Sequence, residues 1–139
     1  MSKRLKEREE KIEQVLACLI EESSKGILII VEGRKDVETL RQLGVDGMIM
    51  SAKTGGRTQQ DVVCELEESA TKEVIMLLDF DRRGREWTRV LKQRLEKSRI
   101  IPNLTFWNDL MRFAGREVKD VEGLASYIQT LKKKAGEIP

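Results

Sequence analysis

Three carboxylates follow two strongly apolar segments of the chain, and their positions favour metal chemistry. Glu32 comes directly after residues 27–31, and Asp79 and Asp81 come directly after residues 74–78. Carboxylates gathered in one place repel one another unless a cation lies between them, and Mg²⁺ prefers oxygen ligands. The sequence therefore predicts a Mg²⁺ site, with Mn²⁺ as the alternative ion, at Glu32, Asp79 and Asp81.

The two apolar segments have the character of buried parallel strands. Each is about five residues long and aliphatic without alternation. In open α/β sheets, ligands bind just beyond the carboxyl ends of such strands, so two neighbouring strands would bring the three carboxylates to one edge. Because residues i and i+2 of an extended segment point to the same side, Asp79 and Asp81 can share a metal while Phe80 turns towards the core.

Each acidic residue also has a plainer interpretation. Glu32 could be an exposed loop residue, and Asp36 could be an acid at the start of a helix, where the helix dipole favours it. One of Asp79 and Asp81 could cap the helix that follows. Gly33 would allow a sharp exit from the strand and the close approach of a phosphate. The residues alone leave these alternatives open.

Basic residues follow the paired aspartates and indicate a polyanionic ligand. Residues 82–99 contain eight basic and two acidic side chains. Arginines could bind phosphates beside a metal-bound one, although local charge balance or a solvated helix face would give the same pattern. The loop at residues 51–58 could hold a phosphate through backbone N–H groups or be a flexible turn. The candidate nucleic-acid-binding residues are Lys53, Arg57, Arg82, Arg83 and Arg85.

The composition excludes several classes of site. The chain has 139 residues, 40% of them hydrophobic and 36% charged, and no histidine. Without histidine, His-based acid–base catalysis, serine-type triads and most zinc sites are excluded. Cys18 and Cys64 are predicted to be buried, small apolar residues. The charged N-terminus and the lack of a long apolar segment predict a cytoplasmic protein without membrane contact.

Helical and strand periodicities alternate along the chain and predict an α/β fold. An amphipathic helix at residues 3–23 would pack on the domain or on a second copy, which leaves a homodimer open. Two short helices are expected around Gly115. The alternation predicts a parallel sheet with right-handed crossovers and helices on both faces. The other predicted helices lie at residues 35–43, 59–69 and 84–97, and the predicted strands at 27–31, 48–50, 74–78 and, interrupted by Pro102, 100–106.

Two motifs together resemble the Toprim domain. They are E-G-x-x-D at residues 32–36 and D-x-D-x-x-G at residues 79–84. That domain is shared by topoisomerases, bacterial primases, OLD-type nucleases, recombination mediators and a ribonuclease that matures ribosomal RNA. The chain resembles a stand-alone small Toprim protein of archaeal type, similar to that ribonuclease. The expected organisation is an N-terminal helix at residues 1–25, a Toprim domain at 26–106 and a helical extension at 107–139.

The resemblance implies a fold and a set of roles. The fold would be a compact, Rossmann-like α/β sandwich with about four parallel strands flanked by helices. Glu32 would act as general acid or base and could also bind metal, and Asp79 and Asp81 would coordinate Mg²⁺. Gly33, Asp36 and Gly84 match the structural positions of the two motifs.

These expectations lead to a Mg²⁺-dependent phosphoryl-transfer protein that acts on RNA or DNA, with a nuclease as the first interpretation. Neither the tyrosine-bearing domain of topoisomerases nor the zinc-binding and helicase-binding domains of primases is expected from these 139 residues. The alternative is a non-catalytic nucleic-acid-binding module in an RNA-processing or DNA-repair complex, so whether the chain is an enzyme stays open. A receiver-like signalling domain is disfavoured, because the acidic pair lies on the third strand and arginines follow it.

Overall fold

The computed structural model describes residues 3–139, in which four strands and six α-helices alternate. A short 3-10 turn at Thr54–Gly56 follows the second strand. The strands are β1 (Leu28–Val31), β2 (Ile49–Ser51), β3 (Glu73–Leu77) and β4 (Ile101–Asn103). The helices are α1 (Lys3–Ser24), α2 (Arg34–Gln42), α3 (Gln59–Glu68), α4 (Arg82–Lys97), α5 (Thr105–Ala114) and α6 (Val121–Lys134).

The four strands are parallel and lie in the order β2-β1-β3-β4. The chain runs outward from β1 to β2 and then returns across β1 to β3, so the strand order reverses between β1 and β3. Val31 pairs with Leu77 at this point, where the two strands end side by side. In open α/β sheets the crevice at such a reversal is where ligands bind. The predicted α/β fold with four parallel strands is confirmed.

Both faces of the sheet are covered, which explains why the strands are apolar without alternation. Successive residues of β1 and β3 point to opposite faces and enter two separate cores. One core packs against α1, α2, α5 and α6 and contains Ile29, Val31, Ile75 and Leu77. The other core packs against α3 and α4 and contains Leu28, Ile30, Val74 and Met76.

The apolar face of α1 is used within the chain. Ile12, Leu16 and Leu19 are buried and recur at helical spacing, and α1 packs against α5 and α6. The Arg8 guanidinium also donates a hydrogen bond to the Tyr127 hydroxyl of α6 at 3.0 Å. Among residues 3–139, no helix has the combined length and apolarity that crossing a membrane requires.

The segment after α4 differs from its prediction in two respects. Pro102 lies inside β4 rather than interrupting it, because β4 is an edge strand, where proline's missing N–H is tolerated. Residues 104–106 are not a strand. The Asn103 side chain accepts a hydrogen bond from Thr105 N at 3.0 Å, α5 begins at Thr105, and Phe106 is buried from that helix.

The prediction that both cysteines are buried is wrong, since Cys18 and Cys64 are exposed. The buried stripe of α1 passes through Leu16 and Leu19, which leaves Cys18 on the outer side. In α3 the buried residues are Val62, Val63 and Leu66, and Cys64 lies between them on the outer surface. Apolar neighbours in sequence therefore did not show which face of the helix each cysteine occupies.

Candidate functional site

The reversal between β1 and β3 brings Glu32 and Asp79 together. Glu32 follows the last residue of β1, and Asp79 lies two residues beyond the end of β3. The end of β3 is held by two hydrogen bonds, from Trp107 Nε1 to the Leu78 carbonyl at 2.8 Å and from Phe80 N to the Lys119 carbonyl at 2.6 Å. Phe80 is buried, as its position between the two aspartates predicts.

The Glu32 carboxylate is buried and has a donor on each oxygen. Its residue is 9% exposed. Oε1 accepts a hydrogen bond from Asp79 N at 3.4 Å, and Oε2 accepts one from Lys53 Nζ at 3.0 Å. Glu32 is therefore a fixed group of the crevice, and the interpretation as an exposed loop residue is wrong.

Three aspartates converge beside Glu32. In the described part of the chain, carboxylate oxygens of Asp36, Asp79 and Asp120 lie within 4.8 Å of one another. Asp36 is 6% exposed and accepts hydrogen bonds from Gly33 N and Glu122 N, both at 3.1 Å. The bond from Gly33 N caps α2 itself, whereas the bond from Glu122 N joins the start of α2 to the start of α6 and so places Asp120 at the crevice.

The electrostatics of the cluster are unfavourable for a set of charged carboxylates. Burial, and then the charges of Glu32 and Asp36, raise the pKa of Asp79 to about 8. Burial also raises the pKa of Asp36, although its two backbone hydrogen bonds oppose that shift. A divalent cation removes such repulsion, and several carboxylate oxygens within reach of one point are the ligands that hard cations take. The donor set therefore fits a divalent metal.

Asp81 has a different environment from Asp79. Its Oδ1 accepts a hydrogen bond from Gly84 N at 2.7 Å and caps the N-terminus of α4. Asp81 is not one of the three carboxylates that converge in residues 3–139. The structure thus gives Asp81 the helix-capping role that the sequence left as an alternative, and its role as a metal ligand stays a prediction.

The structure requires glycine at one of the two motif positions and not at the other. A Cβ at position 84 would lie 2.6 Å from both the carbonyl carbon and the Cβ of Asp79, so only glycine lets α4 begin against that residue. Gly33 has an extended backbone, with φ −139° and ψ 177°, and a Cβ there would meet nothing within 4 Å. The turn of the chain out of β1 at Gly33 therefore does not require glycine. The open space beside Gly33 is compatible with a ligand.

The comparisons with known proteins agree with this geometry. A family model described as Toprim domain matches residues 26–102, which is more than half of the chain. The chain belongs to the Toprim domain family. UPF0292 proteins of Methanosarcina barkeri and Methanosarcina acetivorans are 36% and 37% identical to it over 94% of this chain and 90% and 89% of their own. One from Methanocaldococcus jannaschii is 39% identical over 72% of this chain and 77% of its own.

A solved structure of a protein from Aquifex aeolicus has the same fold. Its TM-score is 0.63 at 24% identity, and the match covers 82% of this chain and 94% of that one. The resemblance to a small archaeal Toprim protein is confirmed by the family match and the archaeal relatives. The Toprim domain indicates a metal-binding function related to nucleic acid.

Asp120 lies outside the Toprim match and was missed from the sequence. The signal that it gives is only local: it precedes the apolar periodicity of α6 and caps that helix by accepting a hydrogen bond from Gly123 N at 2.7 Å. Sequence reasoning could have found this cap. It could not have found the contact with the Toprim aspartates, which depends on how α6 packs against α2.

The candidate phosphate-binding cations fall into two groups. Arg82, Arg83 and Arg85 are exposed on α4, and a groove of about 380 Å³ runs between Arg82, Arg85 and Arg89. Arg57 instead pairs with Glu65 and lines a groove of about 810 Å³ along β2 and α3, which contains none of the four clustered carboxylates. The α4 arginines therefore lie closer in sequence to Asp79 than Arg57 does, and Arg57 faces a different groove.

The raised pKa of Asp79 should make the stability of the metal-free protein depend on pH. An acid with a higher pKa in the folded state contributes stability at low pH that is lost as pH rises through the folded pKa. In EDTA, we expect the free energy of unfolding to fall between about pH 4 and pH 8, because the pKa of Asp79 moves from 3.8 to about 8 on folding. Urea unfolding at several pH values measures this.

The matched variant is Asp79→Asn, which removes that proton without changing the side-chain shape. Its stability should depend less on pH than that of the wild type. Some dependence should remain, because burial and the neighbouring Glu137 and Glu13 raise the pKa of Glu9 to about 7. Equal pH dependence in the two proteins would contradict the assignment of the raised pKa to Asp79.

Proposed function

We propose that this Toprim protein is a metal-dependent nuclease that hydrolyses phosphodiester bonds in RNA or DNA. The observation that carries the proposal is the convergence of Asp36, Asp79 and Asp120 next to the buried Glu32, at the strand reversal of the sheet. Mg²⁺ is the ion that we propose, with Mn²⁺ as the laboratory substitute, and Asp36, Asp79 and Asp120 would hold it.

A divalent ion at this cluster would polarise the scissile phosphate and stabilise negative charge on the leaving oxygen. Glu32 would accept the proton of the attacking water as the new P–O bond forms and the old one breaks. Its two hydrogen bonds, to Asp79 N and Lys53 Nζ, hold the carboxylate in one orientation for that transfer.

The exposed arginines of α4 supply the binding surface for the polyanion. Arg82, Arg83 and Arg85 lie within four positions after Asp81, and in residues 3–139 none of them takes part in an ion pair. Their charges are available to phosphates on either side of the scissile one. Affinity for nucleic acid should therefore fall steeply as the salt concentration rises.

The test is cleavage of labelled structured RNA and labelled single-stranded DNA with Mg²⁺, with Mn²⁺ and with EDTA. We expect cleavage only with metal. Glu32→Gln should lower the rate by at least about 100-fold, because the base is lost, while binding in EDTA stays unchanged.

Glu68→Gln is the matched control, since Glu68 is an exposed residue at the end of α3 and its variant should cleave normally. Binding without cleavage under every metal condition would overturn the nuclease proposal in favour of a non-catalytic module that binds nucleic acid. Cleavage by Glu32→Gln at the wild-type rate would overturn the role of Glu32.

A further inference from the structure

Lys53 differs from the other cations selected as phosphate ligands, because its ammonium group is already engaged. Nζ lies 3.0 Å from Glu32 Oε2 and 5.1 Å from the centroid of the Trp87 ring. The side chain is 32% exposed, whereas Arg82, Arg83 and Arg85 extend freely from α4. Lys53 therefore lies between the end of β1 and Trp87 of α4.

The backbone around Lys53 is bonded to the same residue as its side chain. Lys53 N donates to the Glu32 carbonyl at 3.1 Å, and the neighbouring Ala52 N donates to the Val31 carbonyl at 2.8 Å. The Ser51 hydroxyl donates to the Glu32 carbonyl at 3.4 Å. Because the backbone of Lys53 is already held against Glu32, forming the ion pair orders only the lysine side chain and not the loop that carries it.

The contact with Trp87 determines where the ammonium group lies. A cation over an aromatic face is attracted by the ring, most strongly by tryptophan. Trp87 is half-buried and packs against the core below α4, so its ring is a fixed surface. Lys53 is thus held from one side by the ring and from the other by the carboxylate.

We propose that Lys53 is a positioning residue for Glu32 rather than a general phosphate contact. It fixes the Glu32 carboxylate with Oε1 towards Asp79, and it offsets part of the negative charge that Glu32 and the three aspartates bring to the crevice. The kinetic part of this assignment rests on the proposed function of Glu32, whereas the electrostatic part rests only on the carboxylate cluster.

The first measurement is Mn²⁺ binding to the wild type and to Lys53→Met by isothermal titration calorimetry. Removal of a positive charge next to the cluster should strengthen Mn²⁺ binding by about 10-fold. Lys53→Arg, which keeps the charge, should bind Mn²⁺ as the wild type does. Lys72→Met is the matched control, because Lys72 is an exposed lysine just before β3, at the opposite end of that strand from Asp79. Unchanged or weaker Mn²⁺ binding by Lys53→Met would overturn the proposal.

The second measurement separates positioning from substrate binding. In the cleavage assay, Lys53→Met should lower kcat by about 10- to 100-fold, with KM and binding of single-stranded DNA in EDTA within twofold of wild type. Lys53→Arg should recover most of kcat. A higher KM with unchanged kcat would overturn the proposal and make Lys53 a phosphate contact. If the wild type cleaves nothing, the nuclease proposal fails, and the Mn²⁺ titration still decides the role of Lys53.

Discussion

Asp79→Asn is expected to abolish divalent-metal binding and, with it, all metal-dependent cleavage. Asp79 is one of the three converging aspartates, and burial together with the charges of Glu32, Asp36 and Asp120 raises its pKa. Substitution of a residue that only hydrogen-bonds to a metal ligand weakens metal binding by roughly 10- to 100-fold. Loss of Asp79, a direct ligand in the proposed site, should weaken Mn²⁺ binding by more than that. Calorimetric titration with Mn²⁺ measures this without requiring turnover, and the variant should fold because asparagine has the same shape.

Asp81→Asn and Asp120→Asn are the informative comparisons. Asparagine caps helices as well as aspartate does, so both variants should keep the caps that these residues form on α4 and α6. Asp120→Asn should weaken Mn²⁺ binding by about 10-fold or more, because one carboxylate of the cluster is lost. Asp81→Asn should change it least of the three. If Asp81→Asn weakened Mn²⁺ binding as much as Asp79→Asn, the structural distinction between the two motif aspartates would be wrong.

Gly84→Ala is expected to cost about 3 kcal/mol or more of the free energy of unfolding. The added methyl group would press against backbone atoms of Asp79, which cannot move aside as a flexible side chain can. The start of α4 would have to shift away from β3, and the position of Asp79 would shift with it. Urea unfolding measures the loss, and Mn²⁺ binding should weaken in parallel.

Gly33→Ala provides the matched control for the same change at the other motif glycine. The backbone there is extended and the space beside it is open. The free energy of unfolding should therefore stay within about 1 kcal/mol of wild type, since a smaller unfolded-state entropy offsets a slightly poorer helix cap. Equal destabilisation by both substitutions would contradict the close approach of α4 to Asp79.

The sequence was sufficient for the parallel sheet and for the positions of Glu32 and Asp79 after its two central strands. The two central strands could be placed because β1 and β3 are buried on both faces, which leaves an unmistakable aliphatic segment in each. The sequence predicted that neighbouring strands would bring Glu32 and Asp79 to one edge, and the structure supplies the strand order that makes β1 and β3 neighbours.

What the sequence could not supply depends on contacts between distant segments. Asp120 reaches the crevice because Glu122 N binds Asp36, a contact across 86 positions of the chain. Asp81 and Asp79 have identical side chains two positions apart, and only the start of α4 decides that one caps a helix while the other joins the cluster. The local sequence pattern is equally compatible with a helix cap and with a metal ligand at each of these two aspartates.

Because α1 packs against α5 and α6, the fold cannot be completed until the later helices have been synthesised. The first helix leaves the ribosome before the helices that cover its apolar face are synthesised, so that face stays uncovered by them until then. Asp120 emerges later than the Glu32, Asp36 and Asp79 that it joins. A nascent chain that already carries both Toprim motifs would therefore still lack one carboxylate of the proposed metal site. Under the proposed function, we expect such a chain not to cleave RNA until α6 has packed against α2.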